Sequence, residues 1–296
     1  NSLLFFLSLF FLYQLLRLFV HPYYALAGLV LAITSFLPSW FAKITLTENL
    51  ALFLFLFLTY NLLLFFREGK FLFYTGILLS GGLLAFTRIE GFAFLLLALF
   101  TIALHPHTRS LFRNYPWKSI VIPGVLFTFF FMRDFFINLP YYKMIGKALL
   151  KFLRGFSDTA LATGASTSHS LGLGSIFFLY GFLILALVGF FGILLFLKKK
   201  QWLMLLPALI ALPTFLYLFS PNITPDHPWM LRRYLFSIFP SLLFSAVLCI
   251  AYLFSHEQKA MLQEPPRGKR LLLVSLLFLG LILLQIPAWN SQFAFA

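Results

Sequence analysis

LTENLALFLFLFLTYNLLLFFREGKFLFYTGILLSGGLLAFTRIEGFAF, residues 46–94, alternates long apolar runs with two charged interruptions. An apolar run of about 20 residues is the length that carries an α-helix across a bilayer core. The first interruption, Arg67-Glu68-Gly69-Lys70, has the polar, glycine-containing composition of a tight connection. The second, Thr87-Arg88-Ile89-Glu90-Gly91, sets an arginine and a glutamate two residues apart among apolar side chains. A charge held in such surroundings needs water or a partner, because facing lipid costs it roughly 3 kcal/mol.

The same alternation runs through the whole chain. Hydrophobic residues make up 61% of it and charged residues 10%, with 42 phenylalanines. The mean hydropathy of +0.96 excludes an ordinary soluble domain. Backbone polar groups in lipid must be bonded within the segment, and no barrel-like alternation is present, so the spans are read as helices. The net charge of +14 does not indicate nucleic acid, because the basic residues fall between spans and not on one folded face. Cys249 is the single cysteine, which leaves neither a disulfide framework nor a cysteine zinc site. The chain opens on Asn1 without an initiator Met, a charged leader region or a cleavage site. A piece of a longer protein is therefore expected.

The pattern predicts an all-α polytopic membrane protein with about ten spans, at 1–19, 22–38, 46–66, 70–87, 91–104, 117–137, 173–197, 201–219, 232–254 and 271–288. Residues 1–296 then form a single transmembrane domain. An extracytoplasmic loop covers 138–172 and a cytoplasmic loop 255–270. Alternating the connections places thirteen of the 22 basic residues on one side, among them Arg17, Arg67, Lys70, Lys198, Lys199, Lys200, Arg267, Lys269 and Arg270. In the short loops the split is 13 to 5, and the excess of Lys and Arg marks the first side as cytoplasmic. Gly76, Ser80 and Gly81 in one span, and Gly189 with Gly192 in another, suit close helix packing.

Several outward residues need a reason. The run 91–104 is 14 residues, about 21 Å of helix against a core of about 30 Å. Arg88 and Glu90 are therefore expected below the outer surface, in a water-filled recess, with Thr87 capping the following helix. Glu48, with Thr47 as a cap, opens the third span. It either complements that helix dipole or lines the same recess. The stretch 220–240, SPNITPDHPWMLRRYLFSIFP, brings Asp226, His227, Arg232, Arg233 and Tyr234 to the start of the ninth span. Adjacent arginines diverge by about 100° on a helix, so one faces a pocket more easily than both. Lys143, Lys147, Lys151 and Arg154 follow helical spacings of 4, 4 and 3. They read as an interfacial amphipathic helix meeting anionic lipid headgroups. His105 and His107 have no third ligand nearby in sequence, so no metal site is expected from the histidines. The cofactor stays unassigned, a divalent metal included.

Three segments resemble the GT-C superfamily of membrane glycosyltransferases, within it the protein mannosyltransferase and lipid A aminoarabinose transferase group. They are residues 46–71, with the acidic span start at Glu48; residues 76–99, with Thr87-Arg88-Ile89-Glu90-Gly91; and residues 227–243, with Arg233, Tyr234 and Pro240. The resemblance spans about 1–254. It implies a GT-C-like membrane domain and an inverting transfer of sugar from a polyprenyl-phosphate donor to a glycan, lipid or protein acceptor on the extracytoplasmic side. It further implies a bacterial inner-membrane location if the source is bacterial. Donor phosphate and sugar would meet Arg88, Glu90, Glu48, Arg232, Arg233, Tyr234 and His227. The family's catalytic acid lies in a large first outer loop absent from this chain. The base is therefore expected to precede residue 1, and the piece as it stands is expected to be inactive alone. Two other readings stay open: a transporter or flippase for an anionic lipid or solute, and an assembly component in which Arg88 and Glu90 only staple helices.

Overall fold

A computed structural model describes residues 1–39, 46–105, 181–215, 236–255 and 258–286, together with scattered helical positions between 124 and 147. The chain divides into two compact units, one formed by Asn1–Ala103 with Leu171–Ala296 and the other by Leu104–Ser170. Among the described residues every regular element is a helix and none is a strand.

The first unit runs α1 (Ser2–Arg17), α2 (Pro22–Thr34), α3 (Leu46–Glu68), α4 (Phe71–Thr87), α5 (Ile89–Leu104), α6 (Leu183–Lys198), α7 (Trp202–Ile210), α8 (Leu212–Phe215), α9 (Ile238–Ser255), α10 (Gln258–Gln263) and α11 (Lys269–Leu283). α3 and α4 form a hairpin. Gly69 closes α3 in the left-handed region at φ 64°, its N–H bonded to the Phe65 carbonyl, a conformation that a side chain would strain. Pro22 starts α2 at a position where its missing N–H is not needed, and His21 Nδ1 accepts from the Tyr23 N–H. Two helices, Thr47–Glu68 and Ile238–Ser255, are long and apolar enough to cross a membrane, and they are 72% and 78% buried within the protein. α9 is the hub, packing against α1, α2, α6, α7, α10 and α11, with all of residues 238–251 buried.

The shorter apolar helices surround these two and turn large apolar side chains outward. The exposed positions repeat at helical spacing: Leu3, Phe6 and Phe10 on α1; Leu72, Leu79, Leu83 and Phe86 on α4; Leu187, Phe191 and Leu194 on α6; Leu272, Leu276, Leu279 and Leu283 on α11. A helix that is apolar on its outer stripe as well as its inner one has no polar face to offer water. The polar side chains gather at helix ends and in a few buried contacts. Thr214 of α8 shares a hydrogen bond of 2.7 Å with Ser237, and the Ser241 hydroxyl donates to the Pro207 carbonyl at 3.1 Å.

α6 and α9 run in the same direction and touch backbone to backbone. A Cβ placed on Gly189 would lie 2.5 Å from the Leu242 carbonyl oxygen, and one on Gly192 would lie 2.5 Å from that of Ser245. Gly189→Ala is expected to lower stability by about 1–2 kcal/mol, the overpacking penalty less the gain in helix propensity. A thermal melt of the purified protein in detergent checks this. Gly280 of α11, which faces open space, is the control that should gain stability when changed to alanine.

Several sequence expectations shift. The run 201–219 is not one helix: α7 ends at Ile210 and α8 restarts at Leu212, beside Pro213, which cannot donate to the preceding turn. The ninth helix is described from Ile238, after a turn at Phe236 and Ser237; residues 232–235 of the expected span lie outside the described residues. The helix expected from 173 begins at Leu183, after Gly181 at φ 65°. The connection 255–270 contains α10. In the second unit the described residues 132, 133, 136, 137, 139, 140, 143 and 147 are helical. Val125, Phe129, Met132 and Phe136 are exposed at helical spacing, and Lys143 and Lys147 are exposed. Lys151 and Arg154 lie outside the described residues.

Candidate functional site

Hairpin arithmetic places the site. Glu48 is 21 residues before Gly69 and Arg88 is 19 after it, each about 30 Å along its helix from the turn. The start of α3 and the end of α4 therefore meet. Arg88 is the single residue between α4 and α5, extended at φ −145° and ψ 136°. Its N–H bonds to the Leu84 carbonyl, and its own carbonyl accepts from the Gly91 N–H at 3.0 Å. α5 begins two residues earlier than the sequence suggested, so Glu90 occupies its first turn, where a carboxylate complements the helix dipole. Glu48 holds the corresponding place on α3.

The guanidinium of Arg88 lies between those two carboxylates. Nη1 donates to Glu48 Oε1 at 3.3 Å, and Nε stands 3.8 Å from Glu90 Oε2. The first is a hydrogen-bonded ion pair; the second is an ion pair too long for a hydrogen bond. The Glu48 side chain is 2% exposed, Arg88 15% and Glu90 14%. Glu48 Oε2 also accepts from the Thr47 hydroxyl at 2.6 Å. The face of Arg88 stacks on Phe236, 4.8 Å from the ring centroid. Phe236 in turn packs against Phe94 of α5, which packs against Phe55 of α3. Charge and aromatic ring thus come from four parts of the chain. The buried Nε of Arg88 has no hydrogen bond among the described residues. A buried donor of that kind, beside a carboxylate, is placed to bind a ligand hydroxyl or a water.

Of the residues singled out from sequence, Glu48, Arg88 and Glu90 converge. His227, Arg232, Arg233 and Tyr234 lie outside the described residues, as does Asp226. Lys143 and Lys147 belong to the second unit. Two expected roles change. Thr87 does not cap α5: its hydroxyl donates back to the Leu84 carbonyl at 3.0 Å, inside its own helix. Thr47 lies within the first turn of α3 and binds the Glu48 side chain. The sequence reading missed Phe236, whose one signal is its place two residues after Tyr234. Among 42 phenylalanines that signal is faint. Phe236→Leu keeps the bulk and removes the ring face, so it is expected to cost about 1 kcal/mol, against roughly 3–5 kcal/mol for Phe236→Ala, which also leaves a void. Comparing the two melts separates stacking from packing.

Neither a family model, nor a curated protein, nor a solved structure matches the chain.

Proposed function

We propose that this chain forms the multi-pass membrane domain of a glycosyltransferase that takes its sugar from a polyprenyl-phosphate donor on the extracytoplasmic side. The reading rests on the Arg88 corner, a buried guanidinium held between two carboxylates with one donor atom open. The outward apolar stripes on α1, α4, α6 and α11 support a lipid environment, since soluble monomers do not expose such faces. α5 is 16 residues, about 24 Å, so a bilayer core of about 30 Å would leave its Glu90 end below the surface. Arg17, Arg67, Lys198, Lys269 and Arg270 fall at the far ends of their helices from Arg88, which supports the cytoplasmic assignment of that end.

The charge balance refines the chemistry. Among the described residues at the corner, Glu48 and Glu90 together outweigh Arg88 by one negative charge if all three are ionised. Such a corner suits sugar hydroxyls, which donate to the carboxylates and accept from Nε, better than it suits a phosphate. The departing phosphate then falls to Arg232 or Arg233, four and three residues before Phe236 in sequence. The acceptor's proton requires a further carboxylate as general base. In this scheme the protein binds and orients the sugar at the corner, and the arginines offset the charge that develops on the leaving phosphate. The test is transfer by the full-length protein from radiolabelled polyprenyl-phosphate sugars. Wild type should release free polyprenyl phosphate, and Arg88→Ala should not. Normal turnover by Arg88→Ala would overturn the role of the corner.

A further inference from the structure

A cavity of about 370 Å³ lies at the other end of α9, within the size range of small-ligand sites. Its walls include Tyr24 of α2, Ser255 at the end of α9, Glu264, Arg267, and Lys269 and Arg270 at the start of α11. Ile238 and Ser255 are 17 residues apart, about 26 Å along α9, so this space is separate from the Arg88 corner. The three cations on its wall are exposed, whereas Tyr24 is buried. The cations therefore form the mouth and the hydroxyl-bearing side chain the floor. Among the described residues, one carboxylate against three cations leaves the walls with a net charge of +2. Arg270 also donates to the Phe254 carbonyl at 3.3 Å, tying the mouth to the end of α9. α11 starts at Lys269 behind Gly268, without a side-chain cap, so the positive end of its dipole stands at the same wall. Gly268 sits at φ 55°, a turn that sets Arg267 and Lys269 on the two sides of a sharp bend.

We infer that this cavity binds a phosphate-bearing anion. The cations would meet the phosphate oxygens, and Glu264 and Tyr24 would meet hydroxyls of the same ligand. A lipid headgroup and a soluble phosphate share this chemistry. The inference does not depend on the transferase reading, because the site uses none of its residues.

The test titrates the full chain, purified in a neutral maltoside detergent, with dioctanoyl phosphatidic acid and with dioctanoyl phosphatidylcholine, read by native mass spectrometry. Phosphatidic acid should bind in preference to phosphatidylcholine. Arg267→Gln with Lys269→Gln should weaken it about thirtyfold, each cation near an anionic headgroup contributing roughly fivefold. Arg267→Lys with Lys269→Arg should restore it. Lys198→Gln with Lys200→Gln removes two cations at the end of α6, off the cavity wall, and should leave binding unchanged. Should the first double variant aggregate, Arg267→Gln alone is read, with an expected loss of about fivefold. Competition by inorganic phosphate assigns the site to a soluble ligand, and its failure to compete assigns it to a lipid. Absence of binding by both phosphatidic acid and inorganic phosphate overturns the inference. Unchanged binding in the cavity variant, or an equal loss in the Lys198/Lys200 variant, overturns it as well.

Discussion

Arg88→Ala is expected to destabilise the full-length protein by about 3–5 kcal/mol, the cost of removing one partner from a buried ion pair. Glu48 sets the size of the effect. Its side chain is 2% exposed, and among the described residues Arg88 is its ion-pair partner, 3.3 Å away. Removing that cation takes a paired positive charge from a carboxylate held away from water. Adding Glu48→Gln to Arg88→Ala should therefore recover most of the loss, because the amide needs no counter-charge. Glu48→Gln alone should cost less than Arg88→Ala, since Arg88 keeps Glu90 at 3.8 Å and the face of Phe236. Melting curves of the four proteins form a double-mutant cycle for this pair. The same four proteins separate a staple from a site. If the corner only joins helices, the double variant regains sugar transfer along with stability. If it binds the sugar, transfer stays lost in the double variant although the fold is restored.

The hairpin 46–88 was legible because its signals agree. Two apolar runs of matched length flank a glycine, and this alone carries Glu48 to Arg88. What the sequence did not disclose is which carboxylate Arg88 would prefer. Glu90 is two residues away in the chain, yet the better-formed contact is with Glu48, forty residues away. The reason is geometric: α5 begins at Ile89 and holds Glu90 in its first turn, while the start of α3 stands opposite the guanidinium. Helix ends were read less well. Residues 202–213 are uniformly apolar, and hydropathy carries no trace of the restart at Leu212, which depends on Pro213. The turn at Phe236 and Ser237 was not legible, because Arg232 to Ile238 continue a helical pattern in sequence. Phe236 itself could not be picked out, because stacking on a cation leaves no mark in a sequence already rich in phenylalanine.

Gly91→Ala should lower transfer by about a hundredfold, and it acts on the site without removing any charge. A Cβ on Gly91 would collide with the Leu84 carbonyl and stand 2.7 Å from the Ala85 nitrogen. Both are backbone atoms of the last turn of α4, so no flexible side chain can give way. Gly91 is not in the left-handed region, and alanine there gains about 1 kcal/mol in helix propensity. The clash should cost about 3 kcal/mol, at the upper end of overpacking penalties, for a net loss of about 2 kcal/mol. The larger consequence concerns geometry. The end of α4 and the start of α5 would have to part, and Arg88, the one residue between them, would move away from Glu48. A displacement near 1 Å in a positioning group lowers turnover by about a hundredfold. The decisive measurement repeats the Arg88/Glu48 cycle in the Gly91→Ala background. A coupling energy reduced by half or more would show that the glycine holds the ion pair in place. Full coupling together with wild-type transfer would mean that the corner tolerates separation, and the role assigned to its geometry would fall.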